Sequence, residues 1–414
     1  MIYEKISKFL LLIITTVILT SCDEIFNNND DDQPEDVHLV SYELKRSYTP
    51  TQFETIIDFI VDEYPDMTEI QDEFQYGVMV YKMEYNTTFD GEEKIASGLV
   101  CIPIGEGTFP VLSYQNGTNT VHAEAPSVNP DRDLYRLLQF TASTGFVITI
   151  PDYLGFGSSD NMFHPYLDEE STVQTVLDML RATNEMITNY DLNTEIKDEL
   201  YITGYSQGGW ATMHLQKEIE QNYSDEFNLV ASSCAAGPYD LSAVNNYIMS
   251  QTNYPMPYYL GYMYNSYFNL DLITFSAEEI FQEPYASKMD TLFNGLLTGD
   301  EINDELTTVM PDLFTAEYLS GYATDEKYAA IITSLEENSV DVWNISTPTL
   351  LVHGMEDEFI PFQISANIYQ DFLAEGVSEN KITLLPLAGE GHISGIIPAG
   401  LASIKWFLDI QEQN

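Results

Sequence analysis

The chain has 414 residues, 44% of them apolar, so it can bury a large core, and its length suits one domain with an insertion better than two independent domains. Its 66 acidic residues face only 15 basic ones, a formal charge of -51, so most of the surface repels nucleic acid and anionic headgroups. Composition argues against a disordered or fibrous protein, and charge against a nucleic-acid partner. Residues 1–21 read as a secretion signal: Lys5 and Lys8 give a basic start, and Phe9 to Leu19 an apolar stretch too short for a comfortable transmembrane helix. Residues 22–48 carry Asp23-Glu24 and Asp30-Asp31-Asp32 in an Asn-rich run without core residues and are expected to form an acidic flexible tether.

Globular patterning begins near Thr49, with Phe53, Ile56, Ile57 and Ile60 on one helical face. Val78 to Glu84 and Ser97 to Pro103 read as two strands of a hairpin joined by the polar stretch from Asn86 to Glu93. Strands and helices then alternate. Phe109 to Tyr114, Phe146 to Ile150, Leu200 to Thr203 and Leu229 to Ala236 are strand-like; Leu134 to Phe140, a stripe through Val173, Val176, Leu177, Leu180 and Ile187, and Trp210 to Ile219 are helical. This is the pattern of parallel strands joined by helical crossovers. It lapses over residues 240–344, which are expected to form an inserted, mainly helical cap. Tyr254, Tyr258, Tyr259, Tyr262, Tyr264 and Tyr267 crowd its start and suit either a half-wet pocket wall or plain packing. The core, which starts at residue 49 and pauses at 239, resumes over 345–414 with strands at Thr349 to Val352 and Ile382 to Leu385 and a helix from Leu401 to Ile410. After Cys22 only Cys101 and Cys234 remain; both lie in apolar runs and read as buried free thiols.

The chemistry concentrates at Gly204-Tyr205-Ser206-Gln207-Gly208, which follows a strand and precedes a helix. A strained turn there needs small neighbours and exposes the Ser206 hydroxyl at a helix start, where the macrodipole favours developing negative charge. A serine hydroxyl is a weak nucleophile at neutral pH, so it needs an imidazole within reach and a carboxylate to fix the imidazole's tautomer. Of six histidines, His392 fits best, in the glycine-rich loop Gly389-Glu390-Gly391-His392 after the last strand. Three carboxylates, Glu356, Asp357 and Glu358, follow the penultimate strand and compete as its partner. For the oxyanion, the backbone N–H of Gln207 is one donor, and one near Gly117 or Thr118, after the strand ending at Tyr114, is the second. No His or Cys pair shows metal-ligand spacing, and neither a metal nor a cofactor is expected.

Two resemblances add to this. Leu19-Thr20-Ser21-Cys22 is similar to the lipobox of bacterial lipoproteins, which implies a diacylglyceryl group on Cys22, cleavage before it, and attachment to the membrane by lipid alone. The acidic residues after it resemble a signal for export to the cell surface, so the outer membrane or cell surface is favoured over a periplasm-facing position. Tyr114-Gln115-Asn116-Gly117-Thr118, Pro151 to Gly157, His164-Pro165-Tyr166, Gly204 to Gly209 and His353 to Pro361 together look like the secretory lipase family and its bacterial carboxylesterase relatives. That likeness, from about Val78 onward, implies an α/β-hydrolase fold, a mostly parallel sheet with helices on both faces and a helical cap, and cofactor-free action on carboxylic esters. The spacing of His353-Gly354 to Asp357 and to Ile360-Pro361 resembles the family pattern and selects Asp357, so the implied triad is Ser206, Asp357 and His392. One departure is visible: the family usually carries His-Gly where this chain has Asn116-Gly117, a change that a backbone donor survives. Asp152 and His164 read as structural supports. The expected substrate is a small-molecule, lipid or glycan ester; a serine peptidase, or a non-catalytic glycan- or lipid-binding surface lipoprotein, is the alternative.

Overall fold

A computed structural model describes residues 36–53, 68, 70–190 and 192–413. The secretion signal, Cys22 and most of the helix expected after Thr49 lie outside the described residues; of that helix's apolar face Phe53 is seen, fully buried.

Among the described residues nine strands form one sheet: β1 (Leu39–Tyr48), β2 (Gly77–Phe89), β3 (Glu92–Ile104), β4 (Thr108–Gln115), β5 (Val147–Pro151), β6 (Glu195–Tyr205), β7 (Leu229–Ala235), β8 (Thr349–Gly354) and β9 (Ile382–Leu387). Their order is β1-β2-β3-β5-β4-β6-β7-β8-β9. The pairs from β1 to β5 are antiparallel and the rest parallel. Two expectations are corrected here. The polar stretch from Asn86 to Glu93 is no loop: β2 and β3 run on until Asp90 and Gly91 turn the chain, both at positive φ (51° and 72°), the geometry a two-residue hairpin turn requires. The tether, expected to reach residue 48, gives way to strand at Leu39. Its entry is pinned by Glu185, whose carboxylate accepts the backbone N–H groups of Val37 (3.1 Å), His38 (2.9 Å) and Leu39 (2.7 Å).

Helices of nine residues or more are numbered in chain order: α1 (Asp133–Thr141) leads from β4 to β5, α2 (Glu169–Asn189) from β5 to β6, and α3 (Gln207–Asn222) from β6 to β7. The period of two along each strand sends alternate side chains to opposite faces. On β3, Val100 and Ile102 meet Val173, Val176 and Leu180 of α2, whereas Leu99 and Cys101 share the other face with Tyr135 and Leu138 of α1. Phe407 of the last helix joins that second face. Helices therefore cover both sides of a mostly parallel sheet.

Between β7 and β8 lie α4 (Leu241–Ser250), α5 (Tyr258–Asn269), short helical turns and α6 (Ala329–Glu337). Among the described residues this stretch adds only isolated bridges, Asn253 to Val309 and Phe281 to Phe314, to its helices. Its tyrosines divide: Tyr264 and Tyr267 are core, while Tyr258 and Tyr259 line a cleft. After β8 come α7 (Phe362–Ala374) and, after β9, α8 (Ile396–Gln411). The strand order reverses at β4, flanked by β5 on one side and β6 on the other. Crevices beyond the carboxyl ends of strands at such a reversal are where open α/β sheets bind ligands.

Candidate active site

At that reversal the chain leaves β6 and enters α3 within one residue. Ser206 stands between them at φ 60° and ψ -122°, a conformation L-residues rarely adopt and that costs about 1–3 kcal/mol. The glycines two and three positions from it are required for a steric reason. A Cβ at Gly204 would overlap the Gly208 carbonyl, one at Gly208 the Gln115 carbonyl of β4, and one at Gly209 the Ala235 carbonyl of β7. The Ser206 N–H donates to the same Ala235 oxygen at 2.9 Å, fixing the turn to the sheet. The hydroxyl is thus held at the positive end of a 16-residue helix.

His392 arrives from the loop after β9. Its Nε2 is 2.9 Å from Ser206 Oγ and its Nδ1 is 2.7 Å from Asp357 Oδ2. All three side chains are buried. The other Asp357 oxygen accepts the backbone N–H groups of Phe359 (2.9 Å) and Ile360 (2.8 Å). Of the three competing carboxylates, Asp357 is the one at the imidazole. Burial by itself would raise the Asp357 pKa, but hydrogen bonds from His353 and His392 outweigh it and hold the carboxyl well below the usual carboxylate range. An ionised carboxylate accepts at Nδ1–H, which leaves Nε2 free to accept from the serine hydroxyl.

Gly117 and Thr118, just past β4, line with Ser206 and His392 a cleft of about 520 Å³. Gln207, the first residue of α3, lines with Ser206 a narrower pocket of about 50 Å³. Asn116, at the family's histidine position, donates through Nδ2 to Tyr135 Oη of α1 (3.1 Å), and its carbonyl accepts from Tyr153 Oη (3.2 Å). The Asn116 side chain therefore ties the loop to α1. Among the described residues no group of three or more His, Cys, Asp or Glu side chains is placed to hold a metal ion.

The secretory lipase model matches residues 122–412 of this chain. The protein belongs to the secretory lipase family. It is an esterase- or lipase-type hydrolase of the α/β-hydrolase fold. No curated protein matches it. Among solved structures, a ligand-bound form of the rice cell wall degrading esterase LipA from Xanthomonas oryzae is 26% identical at TM-score 0.77, covering 92% of this chain and 98% of that one. A protein of Legionella pneumophila assigned as a hydrolase is 24% identical at TM-score 0.81, covering 91% and 99%. Candida antarctica lipase A in its closed state shares the fold at 15% identity and TM-score 0.59, covering 88% and 82%. The family is a secretory one, and among the described residues no helix is long and apolar enough to cross a membrane.

Around this lipase-family site, the contacts of several side chains show only in the fold. His353, fully buried, places Nε2 3.1 Å from Asp357 Oδ2 and 2.9 Å from the Ile360 carbonyl. That carbonyl only accepts, so Nε2 carries the proton and Nδ1 accepts from Ser365 Oγ at 2.6 Å. Glu358, a losing candidate for the acid, accepts the His392 backbone N–H at 3.2 Å, and Tyr205 donates its hydroxyl to the His392 carbonyl at 2.6 Å. His164 touches the Gln207 side chain at 3.2 Å. Asp152 ties Ser97 (2.6 Å) to the Ser127 backbone N–H (2.8 Å). The sequence signals for His353 are its place at a strand end four residues before Asp357 and its part in the family-like spacing to Ile360-Pro361.

Proposed function

We propose that this protein is a serine carboxylic-ester hydrolase that works through an acyl-enzyme and is held at the bacterial outer membrane or cell surface by a lipid on Cys22. One observation carries the catalytic reading: a continuous hydrogen-bonded path from Ser206 Oγ through His392 to Asp357. Ser206 Oγ bonds to the ester carbonyl carbon while its proton passes to His392 Nε2. Asp357 stabilises the resulting imidazolium, and the N–H groups of Gln207 and of Gly117 or Thr118 receive the oxyanion. As the carbon–oxygen bond to the alcohol breaks, His392 returns the proton to the leaving oxygen. Water then attacks the acyl-enzyme with His392 as base, and the acid departs. The Xanthomonas relative is an esterase, which supports an ester rather than an amide as substrate.

A fluorophosphonate probe tests the nucleophile. We expect the adduct on Ser206, located by mass spectrometry, and we expect Ser206→Ala to lose both the label and ester turnover by about 10⁴-fold or more. Labelling elsewhere overturns the assignment. The anchor is tested by labelled palmitate in growing cells: incorporation into the native chain and none into Cys22→Ala is expected, and equal labelling would refute lipidation at that cysteine.

A further inference from the structure

Ser206 borders two spaces of very different size. The wide cleft of about 520 Å³ has His392 in its wall, and the narrow pocket of about 50 Å³ lies between Ser206, Gln207 and the cap. The two halves of an ester cannot occupy them interchangeably. In the tetrahedral intermediate the leaving oxygen takes the proton of the His392 imidazolium, so the alcohol lies on the side that His392 lines. The acyl chain, bonded to the same carbon, runs the other way, past Gln207 into the narrow pocket. This assignment rests on the ester-hydrolase reading above.

The narrow pocket is bounded by structure that cannot easily retreat. Leu241, Val244 and Ile248 recur at the spacing of one helical face, and that face of α4 lines the pocket. Leu260 and Met263, a turn apart on α5, and Ile360 from the loop after β8 complete an apolar wall. Except for half-buried Val244, these side chains are buried and share one core cluster with Ile331 and Leu335 of α6. The entry to α4 is fixed as well: Asp240 Oδ1 accepts the Ala243 N–H at 2.7 Å, and Ser339 Oγ accepts the Leu241 N–H at 2.9 Å. A water-sized group takes at least about 10–15 Å³, so about 50 Å³ admits a chain of no more than about four carbons, and a longer one presses on packed core. The wide cleft is about tenfold larger and has Tyr258 and Tyr259 in its wall, which suits a ring-bearing alcohol.

We propose that this enzyme removes short acyl groups, of about two to four carbons, from bulky alcohols, with the acyl group in the narrow pocket and the alcohol in the wide cleft. A long-chain acyl ester would have to place its tail where the core of the cap stands. The site therefore works as a deacylase of large alcohols, not as a fat-splitting lipase.

The test uses the full chain and a pair of isomers that differ only in the direction of the ester, phenethyl acetate and methyl 3-phenylpropanoate. Methyl butyrate and methyl octanoate form an acyl series beside them. Rates are followed by pH-stat and normalised to each ester's alkaline hydrolysis. We expect kcat/KM for phenethyl acetate to exceed that for its isomer about tenfold or more, the effect of forcing extra groups into a packed core. Methyl butyrate should exceed methyl octanoate by a similar factor. Met263→Ala and Ile248→Ala each remove part of the wall, and at least one should bring both ratios toward unity; a ratio within one preparation does not depend on how much of a variant folds. Equal rates for the isomers, or a preference for methyl 3-phenylpropanoate, overturn the proposal. So does octanoate cleaved as fast as butyrate, or ratios unchanged in both variants, and the native enzyme's ratios decide the matter if neither variant folds. Fluorophosphonate labelling separates the failures: a labelled Ser206 with equal isomer rates overturns the pocket assignment alone, and an unlabelled one overturns the hydrolase reading beneath it.

Discussion

At Asp357 two opposing effects act on one carboxyl. Removal from water favours the neutral acid, while His353, His392 and two backbone N–H groups favour the anion, and the anion prevails. Because the folded pKa lies below the ordinary value of 3.8, the stability this site supplies is present above that value and is lost as pH falls through the folded one. His353 is a positioning residue in this scheme, since it reaches the ester only through Asp357. His353→Ala should therefore lower kcat about tenfold or more with little change in KM, and His353→Gln, whose amide can still donate, should recover part of the loss. A melting temperature that falls while kcat stays at the native level would show a merely structural role. The sequence made the acid legible to within three neighbours, but not His353, because a donor's partner is chosen by rotamer and loop path rather than by spacing.

The elbow between β6 and α3 is decided by close approach of three strands' backbones. Gly208 lies against the Gln115 carbonyl, so Gly208→Ala forces either the turn or the oxyanion loop to move. We expect a loss of about 2 kcal/mol or more in urea unfolding, with activity falling further than stability does. A variant unfolding at the native midpoint would mean that the loop yields freely. Elements with strong periodicity, such as β4, α2 and α3, could be read directly from sequence. β1 could not: it is an edge strand whose side chains are mostly exposed, so it lacks the apolar alternation that marks a strand and is held by the Glu185 carboxylate and by pairing to β2. The hairpin turn was missed for a related reason, since polar residues at the far end of β2 and β3 look like loop until pairing extends to Asp90-Gly91.

For the molecule as a whole, the charge of -51 sets a strongly acidic surface, and buried His164 makes its own contribution to stability against acid. Its pKa falls from 6.5 to about 4 on burial, so the unfolded chain binds this proton first. Stability from the group is present above pH 6.5 and declines as pH drops toward 4, by about 3 kcal/mol at most. His164→Gln should accordingly lose less stability than the native protein between pH 7 and pH 4.5 in denaturant titrations; parallel losses would place the histidine's burial in doubt. The sequence by itself determined the fold class and pointed to Ser206 and His392, because alternating periodicity and glycine-rich turns are local properties of the chain. Only the tertiary structure decided what His353 and Glu358 do and that the cap leaves a narrow pocket beside Ser206. Those depend on rotamer and loop path, which bring groups on separate segments to within a few ångströms and which no spacing along the chain encodes.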